Sequence, residues 1–289
     1  MGAIVAHLGP NGTYAEAAAL AYSQWLHQKT GQECCLRPYP SIAQSLRAAA
    51  EGQAHLAVVP VENSLEGNVT MTLDALWQFD ALQIRHALVL PIVHGLLSWA
   101  ENLTDIRTVY SHPQALAQCQ GWLDQFLPWV QVLPTNSTTE ALQHLKQEKT
   151  AAAISSQRAA QLYNVPIVAC PINDYPDNCT RFWVLSLKST SETFNLGENE
   201  ISNSHTSLAF SVPANMPGVL VKPLLVFANR NINLSRIASR PTKRSLGEYL
   251  FFIDIEADAN SLFVQAAIAE LAAYTETLKI FGTYSILPI

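Results

Sequence analysis

The chain has 289 residues, of which 49% are hydrophobic and 14% are charged, and its formal net charge is −6 at neutral pH. This composition is typical of a compact globular protein, and the acidic balance argues against a nucleic-acid-binding surface. No apolar run approaches the ~18 residues that a membrane span needs. The N-terminus has no signal-peptide pattern, and the five cysteines form no CxxC pair. We therefore expect a cytoplasmic protein without disulfides or a zinc site.

The first 187 residues alternate short apolar strands with helical segments, which predicts an α/β domain. The predicted strands are residues 4–8, 36–39, 55–60, 84–93, 107–110, 130–133, 151–154, 167–170 and 182–185. A polar stretch without periodicity, residues 188–203, follows and predicts a linker.

Residues 204–289 predict the order βαββαβ, which is typical of a ferredoxin-like module. Its predicted elements are residues 207–212, 219–229, 234–239, 249–256, 262–274 and 278–284. Four basic residues gather near one turn of this region, a pattern typical of a solvated loop: Arg236, Arg240, Lys243 and Arg244.

Four segments that follow predicted strands match a capping box, in which Ser or Thr precedes Glu or Gln by three positions. They begin at Thr13, Ser41, Ser111 and Ser137. For Ser41 we expect only a helix cap. A helix start that faces a cleft can also bind an anion through its free N–H groups and the helix dipole. Residues 9–13 suit that role because their glycines let the backbone approach a ligand, although they are not a GxGxxG dinucleotide motif.

A polar loop, residues 60–69, follows a hydrophobic strand. Glu62 and Glu66 lie four positions apart, which allows acid/base chemistry of the kind used in glycoside cleavage. Acids in such loops are more often exposed or act as caps. Asn63 and Ser64 lie nearest the strand end, where α/β sheets bind ligands, so we expect these two to contact the ligand.

Another strand ends at Ser111-His112-Pro113-Gln114. Adjacent Ser and His do not readily form a triad hydrogen bond, and GxSxG is missing, so we interpret His112 as a structural or substrate-contact residue. The eight histidines show no metal-binding spacing. The candidate ligand-binding groups that remain are hydroxyls, amides, helix starts and a few arginines. This set indicates a site for a small organic anion that needs no cofactor.

The segment before the last strand of the first domain carries the densest group of polar side chains. Asn178, Thr180 and Arg181 supply an amide, a hydroxyl and a guanidinium just before the apolar run that begins with Phe182. Turn-forming Asn, Asp and Pro residues precede them. An Arg at a strand entrance is also compatible with a solvated edge charge.

Together these segments resemble the prephenate dehydratase family. The matching blocks, in the family's order, are residues 9–14, 61–67, 111–116 and 178–182. The tail resembles an ACT regulatory domain through its two ligand-loop motifs. We expect these to bind the effector through Asn215, Met216, Pro217, Gly218, Val219, Leu220, Ser239, Arg240 and Pro241.

The resemblance implies two α/β lobes of the periplasmic-binding-protein type with a cleft between them, followed by the ACT domain in residues 204–289. We assign residues 1–78 and 166–187 to one lobe and 79–165 to the other. The resemblance further implies a homodimer or homotetramer with phenylalanine as a feedback effector. The family often has Glu before the Ser-Arg-Pro triplet, whereas this chain has Ala238, so we expect its regulation to differ.

The substrate that the resemblance implies is prephenate, whose loss of carbon dioxide and hydroxide gives phenylpyruvate without a cofactor. We expect Thr180, Arg181 and Asn63 to be catalytic, with Arg181 holding a carboxylate through its planar fork and Thr180 assisting the leaving oxygen. The predicted substrate contacts are Thr13, Ser64, Ser111, His112, Gln114, Ser137, Asn178 and Phe182. Arogenate dehydratase shares these motifs and is an alternative. A non-enzymatic solute sensor is an alternative of another class, since fold does not fix function.

Overall fold

The structure is a computed structural model that describes residues 2–190 and 204–287. Its elements, in chain order, are β1 (Ala3–Leu8), α1 (Tyr14–Thr30), β2 (Cys34–Tyr39), α2 (Ile42–Ala50), β3 (Leu56–Asn63), β4 (Gly67–Asn68), α3 (Thr70–Leu76), β5 (Leu82–Pro91), β6 (His94–Ser98), a 3-10 turn (Leu103–Asp105), β7 (Thr108–Ser111), α4 (Pro113–Ala117), α5 (Gln120–Phe126), β8 (Gln131–Pro134), α6 (Ala141–His144), β9 (Ala151–Ser156), α7 (Gln157–Tyr163), β10 (Ile167–Ala169), β11 (Cys179–Leu187), β12 (Ser204–Ser211), α8 (Val221–Ala228), β13 (Leu234–Pro241), β14 (Tyr249–Ile255), α9 (Leu262–Ala272) and β15 (Thr277–Leu287). Most of the predicted linker, from residue 191 to 203, lies outside the described residues.

The first lobe is a sheet in the order β2-β1-β3-β11-β5. β1 runs parallel to β2 and β3, whereas β11 runs antiparallel to β3 and β5. Side chains alternate across β11 because strands have a period of two. Phe182 and Val184 pack with α1 on one face, while Trp183 and Leu185 pack on the other face with α2. Burial on both faces explains why β11 reads as a continuous apolar run.

The second lobe is a separate sheet in the order β10-β6-β9-β7-β8. The predicted lobe boundaries are wrong in two places. β5 falls within the predicted second lobe but pairs with β11 of the first, and β10 was assigned to the first lobe but pairs with β6 of the second. The sequence also predicts one strand over 84–93 and misses β6, because the chain changes sheets at Ile92 and Val93 within an unbroken apolar run.

The C-terminal module has the predicted βαββαβ order, and its sheet runs β13-β14-β12-β15. This confirms an α/β domain followed by a ferredoxin-like module. The end of β15 also pairs parallel with β5, so the module and the first lobe share one continuous sheet. Gly282, with φ +135°, is required at this junction, because a Cβ there would lie 2.6 Å from the carbonyl oxygen of Ile84.

A buried ion pair of this module lies against the first lobe. Arg236 Nε and Asp254 Oδ2 are 2.7 Å apart, and both side chains are buried. The guanidinium also lies over the Trp183 ring, 5.0 Å from its centroid, and donates to Asn68 Oδ1 at 3.0 Å. The basic group predicted to be a solvated loop is therefore in part an inter-domain contact.

Asp74 on α3 makes a second inter-domain contact. It accepts two hydrogen bonds from Arg240, of 2.7 and 2.9 Å, and pairs with Lys243 at 2.9 Å. These cations lower the pKa of the Asp74 carboxyl, chiefly through the Arg240 hydrogen bonds.

Within the described ranges, no helix has the length and apolar character that a membrane span requires.

Candidate active site

A cavity of about 780 Å³ lies between the two lobes. The first lobe lines it with the start of α1, the end of β3 and the start of β11. The second lobe lines it with the start of β6, the region of α4 and the turn before α6. The polar residues in its wall are Thr13, Tyr14, Asn63, His94, His112, Gln114, Gln118, Asn136, Ser137, Thr138, Thr139, Glu140, Gln143, Tyr163 and Thr180.

The loop before α1 holds the lobes together at one end of the cavity. The carbonyl oxygen of Gly12 accepts from Ser156 Oγ at 2.8 Å, and its N–H donates to Glu16 Oε2 at 2.6 Å. Gly12 has φ +89°, and a Cβ there would lie 2.9 Å from Thr139 Cγ2. Only glycine meets both conditions, so this residue permits the close approach of the lobes.

The orientation of the Asn63 amide is fixed by the backbone. Its Oδ1 accepts hydrogen bonds of 3.1 Å from the N–H groups of Leu65 and Glu66. Its Nδ2 must therefore be the end that faces β11, where its two N–H groups have three acceptors within reach: Asn178 Oδ1 at 2.9 Å, Thr180 Oγ1 at 3.0 Å and the carbonyl oxygen of Cys179 at 3.1 Å.

The orientation of the Asn63 amide determines the orientations of the Asn178 and Gln118 amides. Asn178 Oδ1 also accepts from Ser64 Oγ at 3.2 Å, so Asn178 Nδ2 is the donor to Gln118 Oε1, at 2.9 Å. Gln118 Oε1 is thus an acceptor, and Gln118 Nε2 is left buried without a hydrogen-bond partner. A buried donor with no partner in the wall of a cavity is suited to bind a ligand oxygen.

Thr180 is the hydroxyl at the centre of this arrangement. It is buried in the cavity wall, and its oxygen already accepts a hydrogen bond from Asn63 Nδ2. Its own proton therefore remains available to a ligand in the cavity.

Nine of the eleven predicted catalytic and substrate-contact residues separate into two groups. The structure brings Thr13, Asn63, His112, Gln114, Ser137, Thr180 and Phe182 to the cavity. Asn178 and Ser64 lie behind its wall and support Asn63. Sequence reasoning missed Gln118 and His94. The spacing of four between Gln114 and Gln118, which places both on one helix face, could have revealed Gln118.

Arg181 does not line the cavity. The alternation of β11 directs Thr180 and Phe182 toward the cavity and Arg181 toward the opposite face, where its Nη1 lies 3.5 Å from Glu62 Oε2. This placement contradicts the prediction that Arg181 holds a substrate carboxylate.

Ser111 does not cap α4. Its Oγ donates to the carbonyl oxygen of Ile154 at 2.6 Å, and the side chain is buried away from the cavity. His112 is the N-cap instead and accepts from Gln114 N–H through Nδ1. The predicted substrate contact at Ser111 is therefore wrong, because the hydroxyl is needed to satisfy a carbonyl between β7 and β9.

Two of the three other predicted caps are present, because Thr13 Oγ1 accepts from Glu16 N–H and Ser41 Oγ accepts from Gln44 N–H. Ser137 Oγ accepts from Glu140 N–H, but this bond lies in the turn before α6, whose N-cap is Glu140, so the predicted helix cap at Ser137 is wrong. Of these, Thr13 and Ser137 line the cavity. The N-terminus of the 17-residue helix α1 therefore faces the cavity and favours an anion there.

Among the residues that line the cavity, none is Lys or Arg. The two histidines in its wall, His94 and His112, have pKa values lowered by burial. In the described parts of the chain, no group of three or more His, Cys, Asp or Glu side chains could hold a metal ion. The site offers hydrogen-bond donors, a helix start and neutral amides.

A smaller cavity, of about 230 Å³, lies in the C-terminal module. Of the predicted effector residues, Asn215 and Val219 line it, and Thr242 follows the second motif into its wall. The Arg240 side chain instead contacts Asp74, and Ala238 is buried in the apolar cluster shared by the two domains.

A family model described as "Prephenate dehydratase" matches residues 5–190, and one described as "ACT domain" matches residues 206–270. A prephenate dehydratase of Lactococcus lactis subsp. cremoris is 36% identical over 285 residues, which are 98% of this chain and 97% of the relative.

Two solved structures are similar over nearly the whole chain. Prephenate dehydratase from Arthrobacter aurescens, in complex with L-Phe, has a TM-score of 0.83 and 33% identity, with 98% of this chain and 90% of that one covered. GqqA, described as a novel type of quorum quenching acylase, has a TM-score of 0.79 and 27% identity, with 99% of this chain and 100% of that one covered.

Proposed function

The chain belongs to the prephenate dehydratase family, and from this we propose that it is a carbon–oxygen lyase that converts prephenate into phenylpyruvate. The observation that carries the proposal is the hydrogen bond from Asn63 Nδ2 to Thr180 Oγ1. It leaves one hydroxyl proton free in a cavity that is shaped by helix starts and amide donors.

The reaction needs one proton and no redox partner. The ring carboxylate leaves as carbon dioxide, and the electron pair of its C–C bond moves through the ring and expels the hydroxyl group. That group takes up a proton and leaves as water, and the aromatic ring forms. The protein must hold the dianion, exclude water from the ring carboxylate and supply a proton or hydrogen bond to the leaving oxygen.

Thr180 is the group that acts on the leaving oxygen. Because Asn63 donates to Thr180 Oγ1, the hydroxyl is polarised toward release of its own hydrogen, and a chain of such bonds strengthens each member. A threonine hydroxyl is a weak acid, so its main contribution is to stabilise the negative charge that develops on the departing oxygen.

The carboxylates are held by donors other than arginine. Gln118 Nε2 supplies a buried N–H, and the helix start at Thr13 supplies backbone N–H groups and a favourable dipole. The hydroxyl of Ser137 and the amide of Gln114 reach the cavity from the second lobe. Phe182 supplies an apolar surface for the ring.

Acyl transfer, the activity in the name of GqqA, finds less support. It requires a nucleophile paired with a general base. Among the residues that the structure describes, no Ser or Thr hydroxyl in the cavity wall is hydrogen-bonded to a histidine: Ser137 bonds Thr139 and Glu140, and Thr180 bonds Asn63.

The C-terminal module carries the regulation in this proposal. Phenylalanine binds in the cavity around Asn215 and Thr242, and the module assembles the chain into a homodimer or a homotetramer. Its shared sheet with the first lobe supports a coupling between effector and site. A cytoplasmic location agrees with five cysteines that are all free thiols.

The decisive experiment compares kcat/KM for prephenate and for arogenate, with phenylpyruvate and phenylalanine measured as the respective products. We expect prephenate to be preferred. A higher kcat/KM for arogenate would assign the chain to the related activity, and the absence of turnover with both would refute the proposal and favour a solute sensor.

A further inference from the structure

His94 connects two polar residues of the cavity wall. It lies at the start of β6 and is buried, with 2% of its surface exposed, and it lines the cavity. Its Nε2 is 3.1 Å from Gln118 Oε1, and its Nδ1 is 3.0 Å from the Tyr14 hydroxyl. Each ring nitrogen therefore has an oxygen neighbour, and the other hydrogen bonds of that oxygen determine whether the nitrogen must donate or accept.

The Gln118 side requires a proton on Nε2. Gln118 Oε1 is an acceptor, because Asn178 Nδ2 donates to it at 2.9 Å in the series of amides that begins at Asn63. A hydrogen bond from His94 to this oxygen is possible only if Nε2 carries a hydrogen.

The Tyr14 side requires a proton on Nδ1. The Tyr14 oxygen lies 2.7 Å from the carbonyl oxygen of Val93, and two oxygens this close need a proton between them. A carbonyl cannot donate, so that proton is the one from the tyrosine hydroxyl. Nδ1 can bond the tyrosine oxygen only as a donor.

Resting on the proposed function, we propose that His94 is a positioning residue that is an imidazolium when the substrate dianion occupies the cavity, where it fixes Gln118 and adds a positive charge to the wall. Both ring nitrogens are then donors, and every contact around the ring is satisfied. This imidazolium supplies a positive charge to a cavity that has no Lys or Arg among its lining residues.

The surroundings of His94 explain why the charge depends on substrate. Burial lowers the pKa of His94 more than the hydrogen bond to Gln118 raises it, so the empty cavity favours the neutral ring, which can donate to only one of its two neighbours. Tyr14, from α1, faces the His94 ring, and burial raises the pKa of its hydroxyl. Burial also raises the pKa of the Cys119 thiol, beyond α4, to about 12. Both groups therefore stay neutral. Cys170, after β10, lies near the Tyr14 hydroxyl, while His112 and Glu140 line the same cavity. A bound dianion then raises the pKa of His94 by charge attraction.

Linkage fixes the direction of the pH effect. Affinity is greatest below the pKa of His94 in the empty cavity, where the ring is charged both before and after binding. As pH rises through the window between the free and the bound pKa, binding must take up a proton, and KM increases by up to about tenfold per pH unit. Above the bound pKa the contribution is lost.

The experiment measures KM and kcat for prephenate from about pH 5 to about pH 9. The wild type is compared with His94→Gln, which keeps an amide donor but no charge, and with the matched control His27→Gln, at an exposed histidine near the end of α1 and outside the cavity lining. We expect KM to rise with pH in the wild type and in His27→Gln. In His94→Gln we expect KM to be raised at acid pH and to be nearly independent of pH.

A wild-type KM that is independent of pH would overturn the inference even if His94→Gln does not fold. A pH dependence that persists in folded His94→Gln would also overturn it. Both results leave the proposed function intact, because prephenate is still consumed. Absence of wild-type turnover would instead refute the proposed function.

Discussion

Asn63 Nδ2 donates to Thr180 Oγ1 at 3.0 Å across the paired strands β3 and β11. The direction of this bond is set by the backbone N–H groups that hold Asn63 Oδ1, and it makes the threonine hydroxyl a donor toward the cavity. The chemistry of the site therefore depends on which end of one amide faces one hydroxyl.

Replacing Thr180 by Ala removes the hydroxyl proton that this arrangement directs toward the cavity. We expect kcat for prephenate to fall by about 10²–10⁴-fold, with a smaller change in KM, because the lost interaction strengthens mainly in the transition state. Thr180→Ser should recover much of the rate. Thr104→Ala, on the exposed 3-10 turn, is the matched control. Near-normal kcat in folded Thr180→Ala would exclude the catalytic role.

Asn63→Asp should reverse the hydrogen bond to Thr180 while changing the side-chain shape little. A carboxylate keeps the acceptor for the Leu65 and Glu66 N–H groups but cannot donate, so the Thr180 proton turns toward Asp and away from the substrate. We expect a loss in kcat of at least about 10²-fold at a pH where the new carboxylate is ionised. If kcat is unchanged while the thermal stability stays normal, the amide orientation is irrelevant to turnover.

Arg181→Lys distinguishes the sequence prediction from the structure. The side chain faces Glu62 on the side of β11 away from the cavity, so we expect KM for prephenate to stay within about threefold of the wild type, an effect below about 1 kcal/mol. Steady-state kinetics measure it directly. A KM raised tenfold or more would mean that the guanidinium does reach the substrate.

Arg236→Ala should strongly destabilise the C-terminal module and its contact with the first lobe. It leaves the buried Asp254 carboxylate without its partner, which costs about 3–5 kcal/mol in the free energy of unfolding. The paired variant Arg236→Met with Asp254→Leu removes both charges and should recover much of that loss. Thermal or urea unfolding of the single and double variants compares them, and equal destabilisation in both would contradict the ion-pair explanation.

Asn215→Ala should weaken the response to phenylalanine. The Asn215 amide lines the cavity of the C-terminal module, and loss of one hydrogen bond of about 1 kcal/mol raises the half-effective phenylalanine concentration by about fivefold or more. Prephenate turnover is titrated with phenylalanine in this variant and in Asn229→Ala, which removes an exposed amide at the end of α8. If both variants respond to phenylalanine identically, phenylalanine does not bind in this cavity.

The sequence by itself determined the α/β alternation, the βαββαβ tail and the helix caps at Thr13 and Ser41. These features depend on local periodicity and on side chains within three or four positions of each other, which are readable along the chain. It also brought Asn63 and Thr180 forward as candidates, because both stand at strand ends.

Only the tertiary structure decided which residues reach the cavity. Whether Arg181 or Thr180 faces it depends on the register of β11, and a shift of one residue would exchange the two. The lobe boundaries depend on pairing between β5 and β11, which no local pattern reveals. The hydrogen bond that orients the Thr180 hydroxyl joins residues 117 positions apart, so its donor could be identified only after the chain had folded.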